Sequence, residues 1–190
     1  MKPDFWPAGP DAPRRGAAPL ELKGALEPRG ATEDDLDEMV RLERLCHEEP
    51  WTPDNFLGEL GREVTLARGL WLAGDLVGLY VSWVVAPECH LLNLMVHPRL
   101  WGLGLGRRLM GDLERESAAR GAVRFLLEVR LGNVRAQNLY ASLGYEVVGF
   151  RSNYYDDGSP AVLMTLETGG RGPAPAGADE ARPPAAAEES

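Results

Sequence analysis

The sequence holds two cysteines and three histidines in 190 residues, and that scarcity removes several functions at once. Cys46 and Cys89 lie far apart, with neither a C-x-x-C pair nor a histidine at ligand spacing, so they read as reduced packing thiols rather than zinc ligands. His47, His90 and His97 fall one to an element, and no metal is expected. No apolar stretch approaches the ~20 residues of a membrane span. The N-terminus, with Asp4, Pro7, Pro10 and Pro13, lacks the apolar core of a secretory signal. These features predict a cytoplasmic protein with no membrane partner. A basic surface is missing as well: the formal net charge is −9, which argues against direct nucleic-acid binding and suits a cationic substrate. Two phosphate motifs are also missing. Gly104-Leu105-Gly106 is followed by Arg107-Arg108-Leu109, which breaks G-x-G-x-x-G, and no lysine or hydroxyl completes a G-K-[ST] loop.

What is present is one folded region flanked by two biased tails. Residues 1–20 and 169–190 are rich in Pro, Ala and Gly without period and read as disordered, leaving a domain over 21–168. Leu22 to Pro28 suggests a first strand. Thr32, with Glu33 and Asp34 behind it, starts a helix through His47, and Thr52-Pro53 starts a shorter one through Leu60. Trp51, on the connector, is either a substrate contact or a core plug. Val64–Ala73 and Leu76–Val85 form a hairpin about Gly74-Asp75, and Ala86-Pro87-Glu88-Cys89 turns the chain into a strand beginning at Leu91. Val123–Arg130 is a strand, Asn133 caps a helix ending at Gly144, and Tyr145–Ser152 and Ala161–Glu167 are final strands. The sum is an α/β chain, with a mixed sheet and helices on its faces.

The stretch LLNLMVHPRLWGLGLGRR, from Leu91 to Arg108, organises the rest. A buried strand is followed by a break at His97-Pro98, then by Gly102, Gly104 and Gly106, then by a helix-period stripe of Leu105, Leu109 and Leu113. The first turn of a helix leaves N–H groups without intrahelical partners, and its dipole favours negative charge, so glycines there let a diphosphate approach the backbone. Arg107 or Arg108 can add charge. A plain tight turn is the alternative reading.

Glu128 lies in a strand whose period of two places Phe125, Leu127 and Val129 on one face and Leu126, Glu128 and Arg130 on the other. A carboxylate there wants a partner or a task, and Arg130 on the same face is the expected partner. Tyr140 sits on the apolar stripe of the following helix, where packing and catalysis are both open, and Asn133 is accounted for as a cap.

Together, VHPRLWGLGLGRRLM and FLLEVRLGNVRAQNLYASLGY resemble the GCN5-related N-acetyltransferase (GNAT) superfamily over nearly the whole folded part. Within it, Glu49-Pro50-Trp51-Thr52, Leu127-Glu128-Val129-Arg130, Asn133 and Arg151-Ser152-Asn153-Tyr154-Tyr155 resemble the bacterial RimI group, which acetylates the N-terminal alanine of a small-subunit ribosomal protein. The resemblance implies the GNAT fold, a central, mostly antiparallel sheet of six to seven strands with helices on both faces. It implies acetyl-CoA as co-substrate. The backbone of Leu94, Met95 and Val96 would meet the pantetheine arm, and Gly102, Leu103, Gly104, Leu105, Gly106 and Arg107 would hold the pyrophosphate. Asn133 would touch the cofactor, Glu128 would be the general base and Tyr140 the general acid, with direct transfer to an amine. The loop departs from the family pattern at Trp101, where Gln or Arg usually stands. Lysine or a small amine as acceptor, and a binding module without turnover, are the alternative readings.

Overall fold

The computed structural model describes residues 24–168; the two expected tails, and the start of the expected first strand, lie outside the described residues. Its backbone contacts divide the chain into two units, one of residues 1–81 with 93–113, the other of residues 82–92 with 114–190. Seven strands run in the order β1-β2-β3-β4-β5-β7-β6: β1 Leu26–Gly30, β2 Thr65–Leu72, β3 Asp75–Val85, β4 Glu88–Val96, β5 Arg124–Arg130, β6 Glu146–Arg151 and β7 Ala161–Glu167. Four α-helices accompany them among the described residues: α1 Leu36–Cys46, α2 Pro53–Leu60, α3 Leu105–Ala118 and α4 Val134–Ala141. The sheet is mixed and mostly antiparallel.

In the first unit the helix expected from Thr32 begins with one 3-10 turn, Glu33–Asp35, because Asp35 accepts from the Thr32 N–H at 3.0 Å while gripping Arg29 at 2.6 Å. α1 then buries Met39, Val40 and Leu42. α2 starts where Thr52 and Asn55 satisfy each other, Thr52 Oγ1 accepting from Asn55 N at 3.2 Å and Asn55 Oδ1 from Thr52 N at 2.8 Å, with Pro53 at the first helical position. The hairpin between β2 and β3 turns on Ala73 and Gly74, both left-handed, with φ 52° and 91°; Asp75 is already the first, buried residue of β3. Along β3, Leu76, Val77, Leu79, Tyr80 and Val81 are all sealed from water. Gly78 decides how α3 lies on this strand. A Cβ there would stand 2.9 Å from Leu109 Cδ1, so only glycine admits the helix at that depth.

In the second unit β5 pairs in parallel with β4 through Glu88↔Arg124 to Leu91↔Leu127, and antiparallel with β7 along its whole length. β6 pairs with β7 and slips at Val147/Gly149, a bulge. The two faces of β5 are as expected: Phe125, Leu127 and Val129 are buried, while Leu126, Glu128 and Arg130 are partly open.

β4 corrects the sequence reading in two respects. It begins at Glu88, not Leu91, because the Glu88 carboxylate is neutralised inside the sheet by its register partner Arg124 at 3.0 Å and by His90 at 3.1 Å. Nor is it buried on both sides: Cys89, Asn93 and Met95 are covered, while Leu92, Leu94 and Val96 on the other face stay half-exposed.

Candidate active site

The first unit supplies a backbone cradle. After a 3-10 turn at Pro98–Leu100, Gly102 and Gly104 take φ of 84° and 79°, and nothing lies within 4 Å of where a Cβ would point on either. A side chain would be strained there, and a ligand has room. Leu105, Leu109, Met110 and Leu113 anchor the start of α3 in the core. The first rung of that helix is Arg108 N to Gly104 O at 3.0 Å, so the N–H groups of Leu105, Gly106 and Arg107 precede the helical ladder and face out of its N-terminus. Leu103 and Arg107 are exposed beside them; Arg108 turns away, its guanidinium reaching the Leu26 carbonyl at 3.4 Å. This arrangement fits a diphosphate.

Trp101 does not enter the cradle. Its indole Nε1 donates to the Val96 carbonyl at 2.7 Å, and the Cys46 thiol reaches the same oxygen at 3.4 Å. Of the three β4 residues expected to meet a pantetheine arm, Met95 keeps its side chain in the core, and Val96 has its carbonyl engaged and its N–H left for the role. Trp51 is a packing residue: its ring lies 5.2 Å from that of the fully buried Phe56, and its N–H donates to Glu43 Oε1 at 3.1 Å. Glu43, itself buried, also accepts from Asn93 Nδ2 at 2.8 Å, which ties the α1–α2 connector to β4.

The second unit supplies the titratable groups. Glu128 is held between two donors: Arg151 Nη1 on Oε1 and the Tyr154 hydroxyl on Oε2, each at 2.5 Å, with 23% of the carboxylate side chain exposed. The expected partner, Arg130, is overturned. Arg130 is claimed by Asp157 Oδ2 at 2.7 Å and Ser159 Oγ at 2.5 Å, and its guanidinium lies 4.0 Å over the Tyr155 ring. Those contacts brace the turn after β6. Asn153 is left-handed at φ 51°, the N–H groups of Tyr154 and Tyr155 both donate to Ser159 O, and the two tyrosine rings meet edge to face at 5.0 Å. Sequence reasoning gives Arg151 and Tyr154 no role of their own; the only signal for them is that the run RSNYY belongs to the subgroup pattern.

Tyr140 is buried on α4, its ring 5.9 Å from that of Tyr145, and burial pushes its phenol well above the ordinary range, so it carries its proton at any working pH. Asn133 caps α4 through Oδ1, accepting from Ala136 N at 3.1 Å, and is itself exposed. The cysteines are poor nucleophiles: burial, with Glu43 nearby, pushes Cys46 up to about 12, and burial also raises Cys89.

A glycine-lined helix start in one unit and a clamped carboxylate with a protonated tyrosine in the other are the parts of an acyl transfer to an amine. Residues 36–145 match the acetyltransferase (GNAT) family. The chain belongs to that family. It is an N-acetyltransferase. It is 34% identical over 148 residues to a putative ribosomal protein bS18-alanine N-acetyltransferase of Bacillus subtilis, covering 76% of this chain and 96% of that one. Among solved structures it is similar to the ribosomal-protein-S18-alanine N-acetyltransferase of Escherichia coli, with TM-score 0.72, 32% identity and coverage of 78% and 97%. The fold is shared by PaiA N-acetyltransferase of Thermoplasma acidophilum in complex with coenzyme A, at TM-score 0.64, 19% identity and coverage of 75% and 99%. For this N-acetyltransferase the open space at Gly102 and Gly104 and the unladdered amides after them are what a coenzyme A pyrophosphate needs.

Proposed function

We propose that this chain transfers acetyl from acetyl-CoA directly to the α-amino group of a protein N-terminus, the N-terminal alanine of a small-subunit ribosomal protein, in the cytoplasm. The observation that carries the reading is Glu128, a partly exposed carboxylate fixed on a central strand by Arg151 and Tyr154. The near full-length coverage of relatives named for that acceptor supports the choice of substrate.

The backbone of Leu94, Met95 and Val96 meets the pantetheine arm. The amides from Gly102 to Arg107 take the pyrophosphate, with Asn133 as a further contact. Glu128 removes a proton from the attacking amine, and Tyr140 protonates the leaving sulfur. The raised pKa values of Cys46 and Cys89 support a direct route over an acyl-cysteine. Amine chemistry supports an N-terminus as acceptor. With a pKa near 7.7–8.0, roughly a third of an α-amine is neutral at pH 7.5, against about one part in a thousand for lysine, a difference of about 3.5 kcal/mol. A lysine or small-amine acceptor is the competing reading.

Mass spectrometry of small-subunit proteins from cells with and without the gene tests the acceptor: an acetylated N-terminal alanine that disappears with the gene is expected, and an unchanged set of N-termini sinks it. Purified protein with acetyl-CoA and matched N-terminal, lysine and polyamine substrates decides among amine classes. For the acid, Tyr140→Phe is expected to slow turnover at least tenfold while the protein stays folded; undiminished turnover reduces Tyr140 to packing.

A further inference from the structure

Glu128 is an unusual base in that both of its oxygens are already engaged. Oε1 is taken by Arg151 and Oε2 by Tyr154. A carboxylate only accepts, and a phenol has one proton, so the Tyr154 hydroxyl must spend that proton on Oε2. The lone pairs left on its oxygen then face away from Glu128 as acceptors, and an amine that has to lose a proton presents a donor. The ring carrying this oxygen is half-buried and held from several sides, by the Tyr155 edge, by Arg151 at 5.6 Å from its centroid, and by the Ser159 carbonyl on its backbone.

We propose that the Tyr154 hydroxyl relays the proton from the acceptor amine to Glu128. The inference rests on the acetyl-transfer reading above and assigns a third side chain to it. As the amine nitrogen bonds to the thioester carbon, its N–H proton passes to the Tyr154 oxygen while the phenolic proton passes to Glu128 Oε2. The carbon–sulfur bond breaks, and the thiolate takes the Tyr140 proton. Tyr154 ends as it began, Glu128 has gained one proton, Tyr140 has lost one, and exchange with water restores both. Burial, and then the hydrogen bond to Glu128, raise the Tyr154 phenol far above its ordinary range, so the two transfers are concerted and no free phenolate forms. Arg151 acts through Glu128: by holding Oε1 it directs the arriving proton to Oε2.

The test is the proton inventory, the rate in mixtures of light and heavy water, for wild type and Tyr154→Phe with acetyl-CoA and an N-terminal peptide. Wild-type turnover establishes the underlying reading on its own; if no amine is acetylated, that reading has failed before Tyr154 is in question. Given turnover, the expected result is a curved inventory for wild type, two protons in flight, which becomes linear in Tyr154→Phe with kcat lowered at least tenfold and the KM for acetyl-CoA unchanged. A linear wild-type inventory overturns the relay. So does a variant within twofold of wild type, or a slowed variant whose inventory keeps its curvature, since a tyrosine that only props Glu128 would shift the pH profile without changing the number of moving protons. Thermal melting of Tyr154→Phe confirms that the rate belongs to folded protein.

Discussion

Each unit of the molecule contains a carboxylate paired with one arginine and one tyrosine, and the two sets differ in a way that separates support from chemistry. In the first unit Asp112 takes Arg68 Nε at 2.8 Å and the Tyr80 hydroxyl at 3.0 Å on the same oxygen, with its side chain 9% exposed and Tyr80 wholly inside. In the second, Arg151 and Tyr154 divide the two oxygens of Glu128, and both the carboxylate and the tyrosine stay partly open. Residue types alone would make the two sets equivalent. Access distinguishes them: a solute cannot reach the Asp112 set without unfolding the strand beneath it, whereas it can approach Tyr154.

The sharpest way to break the comparison is to neutralise Glu128. Glu128→Gln is expected to lower kcat by about 10²–10⁴-fold, the ordinary worth of a positioned base, with little change in the urea midpoint. Steady-state kinetics beside a denaturation curve read both quantities, and full activity with a wild-type pH profile would make the two carboxylates alike after all. The matching change in the other set is Arg68→Met, which leaves Asp112 buried with Tyr80 as its remaining partner among these two. It is expected to cost about 3 kcal/mol of stability and to leave kcat unchanged at temperatures where the protein is folded.

A third buried group of the first unit sharpens the point through pH. His97 is sealed from water, and burial, with the charges of Arg99 and Arg41, lowers its pKa from 6.5 to about 4. Between those values the unfolded chain binds the proton and the folded one does not. Stability therefore falls as pH drops from 6.5 toward 4, by on the order of 3 kcal/mol from this residue. Urea titrations at pH 7 and 4.5 should show that part of the slope missing in His97→Gln.

The two helix caps give the smallest contrast. Thr52→Ala and Asn133→Ala should each lose about 1 kcal/mol. On the proposed reading, Asn133→Ala alone should also raise the KM for acetyl-CoA; an equal, purely structural effect would remove Asn133 from the cofactor contacts.

Much of the fold is legible in the order of residues. The faces of β5, the Thr52 and Asn133 caps and the glycine-lined start of α3 follow from local periodicity and residue type. The edge of β4 does not, because Glu88 looks like a turn residue until Arg124 stands opposite it. Glu128 is identifiable as a residue needing a partner, but residue spacing points to the wrong one. Arg130 is its near neighbour along the chain, yet Asp157, Ser159 and Tyr155 claim that guanidinium, and Arg151 arrives from 23 residues away.

The sequence by itself determined the anion cradle, because left-handed glycines and the unladdered amides of a helix start are set by a handful of adjacent residues. Only the tertiary structure decided how Glu128 is held. β7 must lie between β5 and β6 in register before Arg151 and Tyr154 can meet the carboxylate, and strand pairing over that separation is fixed by the packing of the whole sheet rather than by any local run of residues.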